Sequence, residues 1–332
     1  MMRSNIIINN FKFKTKLNQK KKLLKYLNNI NSLEWPNFIK SFKKNYKYSY
    51  NKEIINKYKK FSNINIIGMG GSSLGTKAIF NFLKHKIKKK LLFLDNLSLH
   101  KKNMPKGLNI IISKSGSTLE TVVNSNEALA KKNKNLFIIE KNNNYLEKLA
   151  KKLKADVIEH KNFIGGRFSV LSEVGMLPSE LMGLNERKFK QYNNLIIKKK
   201  FLNNLIQNTL CTYTFIKKRK FNSIILNYDT NSEDLFKWYQ QLVSESLGKN
   251  SKGILPIISS MPKDNHSLLQ LYLSGFKSNF YTFYIVEEKD SRTLNPKFLF
   301  DKFDYLKKNN KFNILNAQRI ATEKIFKSKK IP

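Results

Sequence analysis

From residue 64 onward, short runs of β-branched and aliphatic residues alternate with amphipathic stretches. The runs Ile64–Ile67, Leu91–Leu94, Leu108–Ile112 and Leu136–Ile139 are apolar nearly throughout, the pattern of strands covered on both faces. The stretches between them read as helices, so the rhythm predicts β-α-β units and a parallel sheet. A helical, Lys-rich middle occupies residues 189–216, and the rhythm then restarts at Ser223–Leu226, Gly253–Ile258 and Phe280–Val286. The pattern predicts an α/β protein of two domains. Residues 1–50 form a helical extension outside the first sheet, 51–190 the first domain, 191–299 the second, and 300–332 a closing helix.

A length of 332 residues fits two domains, and 41% hydrophobic with 12% aromatic residues excludes a disordered basic tail. No apolar run approaches the roughly 18 residues that span a bilayer, so no membrane partner is expected. The single cysteine, Cys211, excludes an intramolecular disulfide framework and offers no zinc-ligand spacing. Residues 1–33 carry bases and no acid, but mainly Lys rather than Arg and with too short an apolar stretch for a secretory signal. A reducing, cytoplasmic setting is the expectation.

The net charge is +40, yet only six of the 63 basic residues are Arg. Lys accompanied by many Asn and Ile is a background composition, and its clusters at Lys88–Lys90, Lys131–Lys134, Lys198–Lys200 and Lys217–Lys220 are scattered. Nucleic-acid readers favour Arg forks gathered in one patch, so no dedicated nucleic-acid partner is expected. Such a field still draws anionic small molecules toward a cleft.

Five segments carry candidate chemistry. Gly68-Met69-Gly70-Gly71-Ser72-Ser73-Leu74-Gly75 follows a strand and precedes a helix, where glycine admits a ligand to the backbone. It is neither a dinucleotide fingerprint, since Ser73 stands at the third glycine position, nor a P-loop, since Gly75-Thr76-Lys77 has the wrong order. Ser113-Lys114-Ser115-Gly116-Ser117-Thr118-Leu119-Glu120-Thr121 gathers hydroxyls at the carboxyl end of another strand. Ser117 and Glu120 have capping-box spacing, but a cap uses one hydroxyl, and the set suits a phosphate held without metal. In Gly165-Gly166-Arg167-Phe168-Ser169-Val170-Leu171-Ser172-Glu173-Val174-Gly175, Arg167 supplies a permanent planar cation. Gln241 and Glu245 lie four apart on a helix stopped by Gly248, and burial would tune Glu245 toward a base. His266 follows Asp264 at short range and opens an apolar helix, as an acid/base group could. His85, His100 and His160 stand in contexts that look like surface, and no ligand spacing implies a metal or other cofactor.

In this order the five segments resemble the glucose-6-phosphate isomerase (phosphoglucose isomerase) family, over about residues 64–273. The resemblance implies two SIS-type α/β/α sandwiches around parallel sheets and reversible, metal-independent conversion of glucose 6-phosphate to fructose 6-phosphate. It implies that Gly71, Ser72, Ser113, the Lys114 backbone, Ser115, Thr118 and Gly166 meet the substrate, with the hydroxyls as a phosphate cradle. It further implies Glu245 as the base moving a proton between C2 and C1, Arg167 as stabiliser of the enediolate, and Gln241 lining the sugar site. His266 would assist ring opening, donated by the neighbouring subunit of a homodimer. The ring-opening lysine of the family lies in a C-terminal helix, where Lys324 is the candidate and Lys327 competes. A non-catalytic SIS-type sugar-phosphate sensor is the alternative, and it would need the cradle but not Glu245. Activity on mannose 6-phosphate or another sugar phosphate stays open.

Overall fold

The computed structural model describes residues 6–9, 17–32, 37–99, 103–130, 133–192, 195, 198–287 and 292–332. His100 and the Lys131–Lys132 part of one cluster lie outside the described residues. The chain forms two compact units, Met1–Thr214 and Phe215–Pro332. The division falls inside a helix, Lys199–Lys217, rather than at the change of rhythm near residue 190.

The first unit is built on five parallel strands, β1 (Asn63–Ile67), β2 (Lys90–Leu94), β3 (Leu108–Ser113), β4 (Lys134–Ile139) and β5 (Asp156–Glu159), in the order β2-β1-β3-β4-β5. β5 carries an acid at each end and only Val157 and Ile158 between them, which is why its apolar signal is invisible in the sequence. The helices of this unit are α1 (Leu17–Ser32), α2 (Lys52–Tyr58), α3 (Leu74–Phe82), α4 (Leu119–Leu129), α5 (Tyr145–Lys152), α6 (Glu173–Leu181) and α7 (Glu186–Phe189), followed by α8 (Lys199–Lys217), which runs into the second unit. Alternate strand residues feed two cores. Ile64, Ile66, Ile110, Ile112, Leu136 and Ile138 pack with Tyr58 of α2 and with Val174, Leu177 and Leu181 of α6. Ile67, Ile111, Phe137 and Ile139 pack with Ala128 of α4 and with Leu146 and Ala150 of α5. The sheet is thus covered on both faces, as parallel sheets must be.

One row of this sheet is polar. Asn65, Asn109 and Asn135 occupy one register across β1, β3 and β4. Each amide donates to the next carbonyl oxygen, Asn65 to Asn109 and Asn109 to Asn135, both at 2.9 Å. The ladder pairs most of the amide groups that would be costly to bury singly, leaving Asn65 Oδ1 at its end without a partner.

The second unit carries β6 (Asn222–Asn227), β7 (Leu255–Ser260) and β8 (Asn279–Tyr284), parallel and ordered β7-β6-β8. Its helices are α9 (Glu233–Leu247), α10 (Leu269–Ser274) and α11 (Lys311–Ser328). Ile224, Leu226 and Tyr228 pack with Tyr272 of α10 and Phe326 of α11 on one face. On the other face Phe236 of α9 meets Tyr284 edge-on at 4.8 Å, and Phe215 stacks on Phe280 at 5.2 Å. Both units are therefore α/β/α layers around parallel strands.

Two expectations are corrected. Residues 43–50 are not helical but a turn and an irregular, Tyr-rich segment that leads into α2. His160 is not at the surface: it is buried at 2% exposure, and desolvation lowers its pKa. Standing just after β5, it donates its backbone amide at 2.8 Å to the carbonyl of the fully buried Ile139, the last residue of β4.

Candidate active site

In the first unit, three sequence-predicted loops stand around the carboxyl ends of the strands. The loop after β1 turns through Gly70–Ser72 into α3, and the segment Gly166–Leu171 lies directly against it. The two approach backbone to backbone: a Cβ on Gly71 would sit 2.3 Å from the Gly166 carbonyl. Ser169 Oγ closes the contact by donating to Gly71 O at 3.1 Å and to Gly166 O at 2.7 Å. The glycine strings that look like separate motifs are two sides of one junction.

Beyond β3 the chain makes the hydroxyl turn. Gly116 adopts φ +63°, and any Cβ there would overlap the Asn144 side chain, so only glycine fits. Ser113 Oγ lies 3.1 Å and Ser115 Oγ 3.4 Å from Thr118 Oγ1. Ser113 Oγ also accepts from the Gly116 amide at 3.2 Å, and Ser115 Oγ from the Ser117 amide at 3.3 Å. The capping box expected from Ser117 and Glu120 is not formed. α4 begins at Leu119 with Thr118 at its N-cap position, and no side chain caps it, because the Thr118 hydroxyl is turned toward the two serines. The first-turn amides of α4 and a knot of hydroxyls face the same place, which is the donor set an oxyanion uses. Lys114 adds its backbone to this turn, while its ammonium is occupied by Asn162 O at 2.5 Å.

Arg167 is half-buried, its guanidinium stacked over the Phe168 ring at 4.6 Å, and Phe168 in turn meets Phe38 at 4.7 Å. Ser72 is half-buried in the turn before α3. Behind these loops lies an acid that sequence reasoning did not single out. Glu173 is 1% exposed at the start of α6, where it accepts from Tyr46 Oη at 3.0 Å to both oxygens, from the Ser49 amide at 2.9 Å and from Ser49 Oγ at 3.2 Å. Burial and this carboxylate push the Tyr46 hydroxyl well above the usual phenol range. Glu173 thereby ties the irregular segment 43–50 to the helix that follows the Arg167 loop. Its only trace in the sequence is an acid beside the N-cap Ser172 in an otherwise apolar stretch.

In the second unit, Gln241 and Glu245 share a face of α9, and Gln241 Nε2 donates to Glu245 Oε1 at 2.8 Å. Glu245 is exposed, contrary to the expectation of burial. α9 turns Phe236 and Gln240 to the sheet, Gln240 Nε2 donating to Pro256 O at 2.8 Å, and Glu245 lies further round the helix near its end. His266 is exposed in the turn after β7. Asp264 does not orient it: that carboxylate accepts from Ser259 Oγ and the Ser260 amide at 2.8 Å each, and from Ser267 Oγ at 3.2 Å. On α11, Lys324 is exposed, whereas Lys327 is bound to Glu323 at 2.5 Å, an acid that also holds Arg319 at 2.7 Å. Cys211 is half-buried, and burial pushes its thiol up to about 11, away from the thiolate form. Among the described residues no three His, Cys, Asp or Glu side chains gather as a metal site.

A model of the family described as phosphoglucose isomerase matches residues 36–255. The chain is 33% identical over 292 residues to the glucose-6-phosphate isomerase of Methanocaldococcus jannaschii, covering 82% of this chain and 72% of that one. It is 31% identical to the glucose-6-phosphate isomerase of Campylobacter jejuni, covering 78% and 70%. Among solved structures, a hypothetical protein of Thermus thermophilus superposes with a TM-score of 0.74 at 20% identity, over 95% of this chain and 81% of that one. A glucose-6-phosphate isomerase of Chlamydia trachomatis superposes with a TM-score of 0.59 at 20% identity, over 81% and 57%. The matched span runs through the glycine junction, the hydroxyl turn, Arg167 and Glu245, and on that ground the chain belongs to the phosphoglucose isomerase family.

Proposed function

We propose that this chain interconverts glucose 6-phosphate and fructose 6-phosphate through an enediol intermediate, without a metal. The observation that carries the reading is the uncapped α4 start, with the hydroxyls of Ser113, Ser115 and Thr118 turned on one another, in a chain of this family. In the proposal these hydroxyls, Ser72, the Lys114 backbone and the close-packed Gly71 and Gly166 hold the phosphate. Glu245 takes the proton from C2 and returns it to C1, the hydroxyl proton moving from O2 to O1, and Arg167 stabilises the charge that develops on oxygen. Gln241 orients the carboxylate through its 2.8 Å bond. His266 and Lys324 open the ring. Lys324 is preferred to Lys327 because the latter is engaged by Glu323.

The proposal includes a homodimer acting in the cytoplasm, with His266 given to the neighbouring subunit's site. Exposure of Glu245 and His266 in the single chain supports that part, since catalytic groups at a solvent-facing surface need a further covering layer to exclude water. A coupled assay of fructose 6-phosphate conversion, in chelator, tests the chemistry. Wild type turns over, and Glu245→Gln loses about 10³-fold in kcat with little change in affinity for phosphate ligands. Equal turnover in both would refute the base. Sedimentation at assay concentration tests the dimer, a monomeric active species being the contrary result.

A further inference from the structure

Beside the carboxyl end of β5, the first unit holds a cavity of about 240 Å³ that the proposed reaction does not use. Four lysines line it, Lys40, Lys43, Lys47 and Lys161, together with Asn45, Tyr46 and Phe163 and with no acid in the lining. Glu140 and Glu159 face the adjoining cavity, which shares only Lys161 and Phe163 with it. Among the described residues none of the four lysines is in an ion pair.

The arrangement is built rather than loose. Lys161 Nζ donates to Lys47 O at 2.6 Å and lies over the Tyr46 ring at 4.4 Å. A fifth cation, the 5%-exposed Lys190, lies over the Tyr46 ring at 5.0 Å and the Tyr48 ring at 4.5 Å. Tyr46 is itself fixed by Glu173. Like charges held around one concavity repel, and an anion there relieves that repulsion. Burial lowers the Lys190 pKa to about 8, against the pull of Glu186 and Glu173, with Lys161 adding a smaller repulsion.

We propose that this cavity is a second anion site, separate from the hydroxyl turn, which takes a compact polyanion bearing three or more negative charges. The small volume selects a compact group, below the usual range for drug-sized ligands of about 300 Å³ and more. Polyphosphates and tricarboxylates share this chemistry, and two probes separate them.

Calorimetric titration of the full-length chain at fixed ionic strength, with inorganic pyrophosphate in one arm and citrate in the other, tests the proposal. Pyrophosphate binding that persists in Ser115→Ala/Thr118→Val but weakens at least tenfold in Lys43→Gln/Lys47→Gln is the expected result. Lys86→Gln/Lys88→Gln, at the amino ends of the strands, removes the same charge elsewhere and should bind as wild type. Tighter citrate than pyrophosphate binding would mark the site as one for carboxylates, still within the proposed class. The proposal is overturned if binding disappears with the hydroxyl-turn variant alone, or if both lysine pairs weaken it equally. It is also overturned if neither probe binds. Melting curves with and without pyrophosphate show whether each variant is folded, and the ligand-induced rise in melting temperature should vanish only in Lys43→Gln/Lys47→Gln.

Discussion

The two units carry their candidate chemistry in opposite ways. In the first, Gly71, Gly166, Ser113 and Gly116 are parts of packed backbone junctions, so whatever they bind is bound by the core's own architecture. In the second, Gln241, Glu245, His266 and Lys324 project from helices and turns whose packing uses other residues, such as Phe236, Tyr272 and Phe326. Holding a phosphate at the hydroxyl turn needs several donors fixed at one point, and the packed backbone around Gly116 and Ser113 fixes them. Proton transfer needs one side chain of the right kind, which a helix surface can carry. The difference teaches that loss of function should coincide with loss of stability in the first unit and be separable from it in the second.

The sharpest test is Gly71→Ala. Its Cβ would meet backbone at 2.3 Å that cannot swing aside, so the variant should lose about 3 kcal/mol in urea denaturation together with activity. Normal stability would mean the junction is slack. Glu173→Ala comes next: it strands the Tyr46 and Ser49 donors and should cost about 2 kcal/mol, while Glu173→Gln, which can still accept, restores part of it. Ser115→Ala should raise KM about tenfold, equivalent to ~1.4 kcal/mol, with a smaller change in kcat, because a binding hydroxyl is lost at an exposed position. A change in kcat alone would move Ser115 from holding to chemistry.

The pH dependence is a finer probe. The folded pKa of His160 is depressed by burial, so above about 6.5 both folded and unfolded histidines are neutral and the full stability is present. As pH falls below that value the unfolded histidine takes a proton that the folded one refuses, and stability declines. His160→Gln should flatten the fall in urea midpoint between pH 7 and 5, and an unchanged slope would place the titration elsewhere. Smallest of all, Glu245→Gln and His266→Asn should shift stability by less than about 0.5 kcal/mol, in contrast to their kinetic cost.

Most strands were legible because apolar runs of Ile and Leu need no partner to announce burial, and the glycine and hydroxyl motifs because each is contiguous in sequence. β5 was not legible, with two acids in four residues, nor was the ladder of Asn65, Asn109 and Asn135, since which strands neighbour one another and in what register is decided across space. Ser117 and Glu120 have the spacing of a cap, but hydroxyl direction is set by which neighbours compete for it, and Ser113 and Ser115 take the Thr118 hydroxyl instead.

The sequence by itself therefore determined the α/β class, the position of the Gly68–Gly75 and Ser113–Thr121 loops at strand ends and the residue types available there, because these depend on periodicity and local spacing. Only the tertiary structure decided that Gly71 meets Gly166, that Glu173 and His160 are buried, and that Glu245 and His266 are exposed. Burial and apposition are properties of what lies across space from a residue, and separations such as that between Gly71 and Gly166 leave no trace in local pattern.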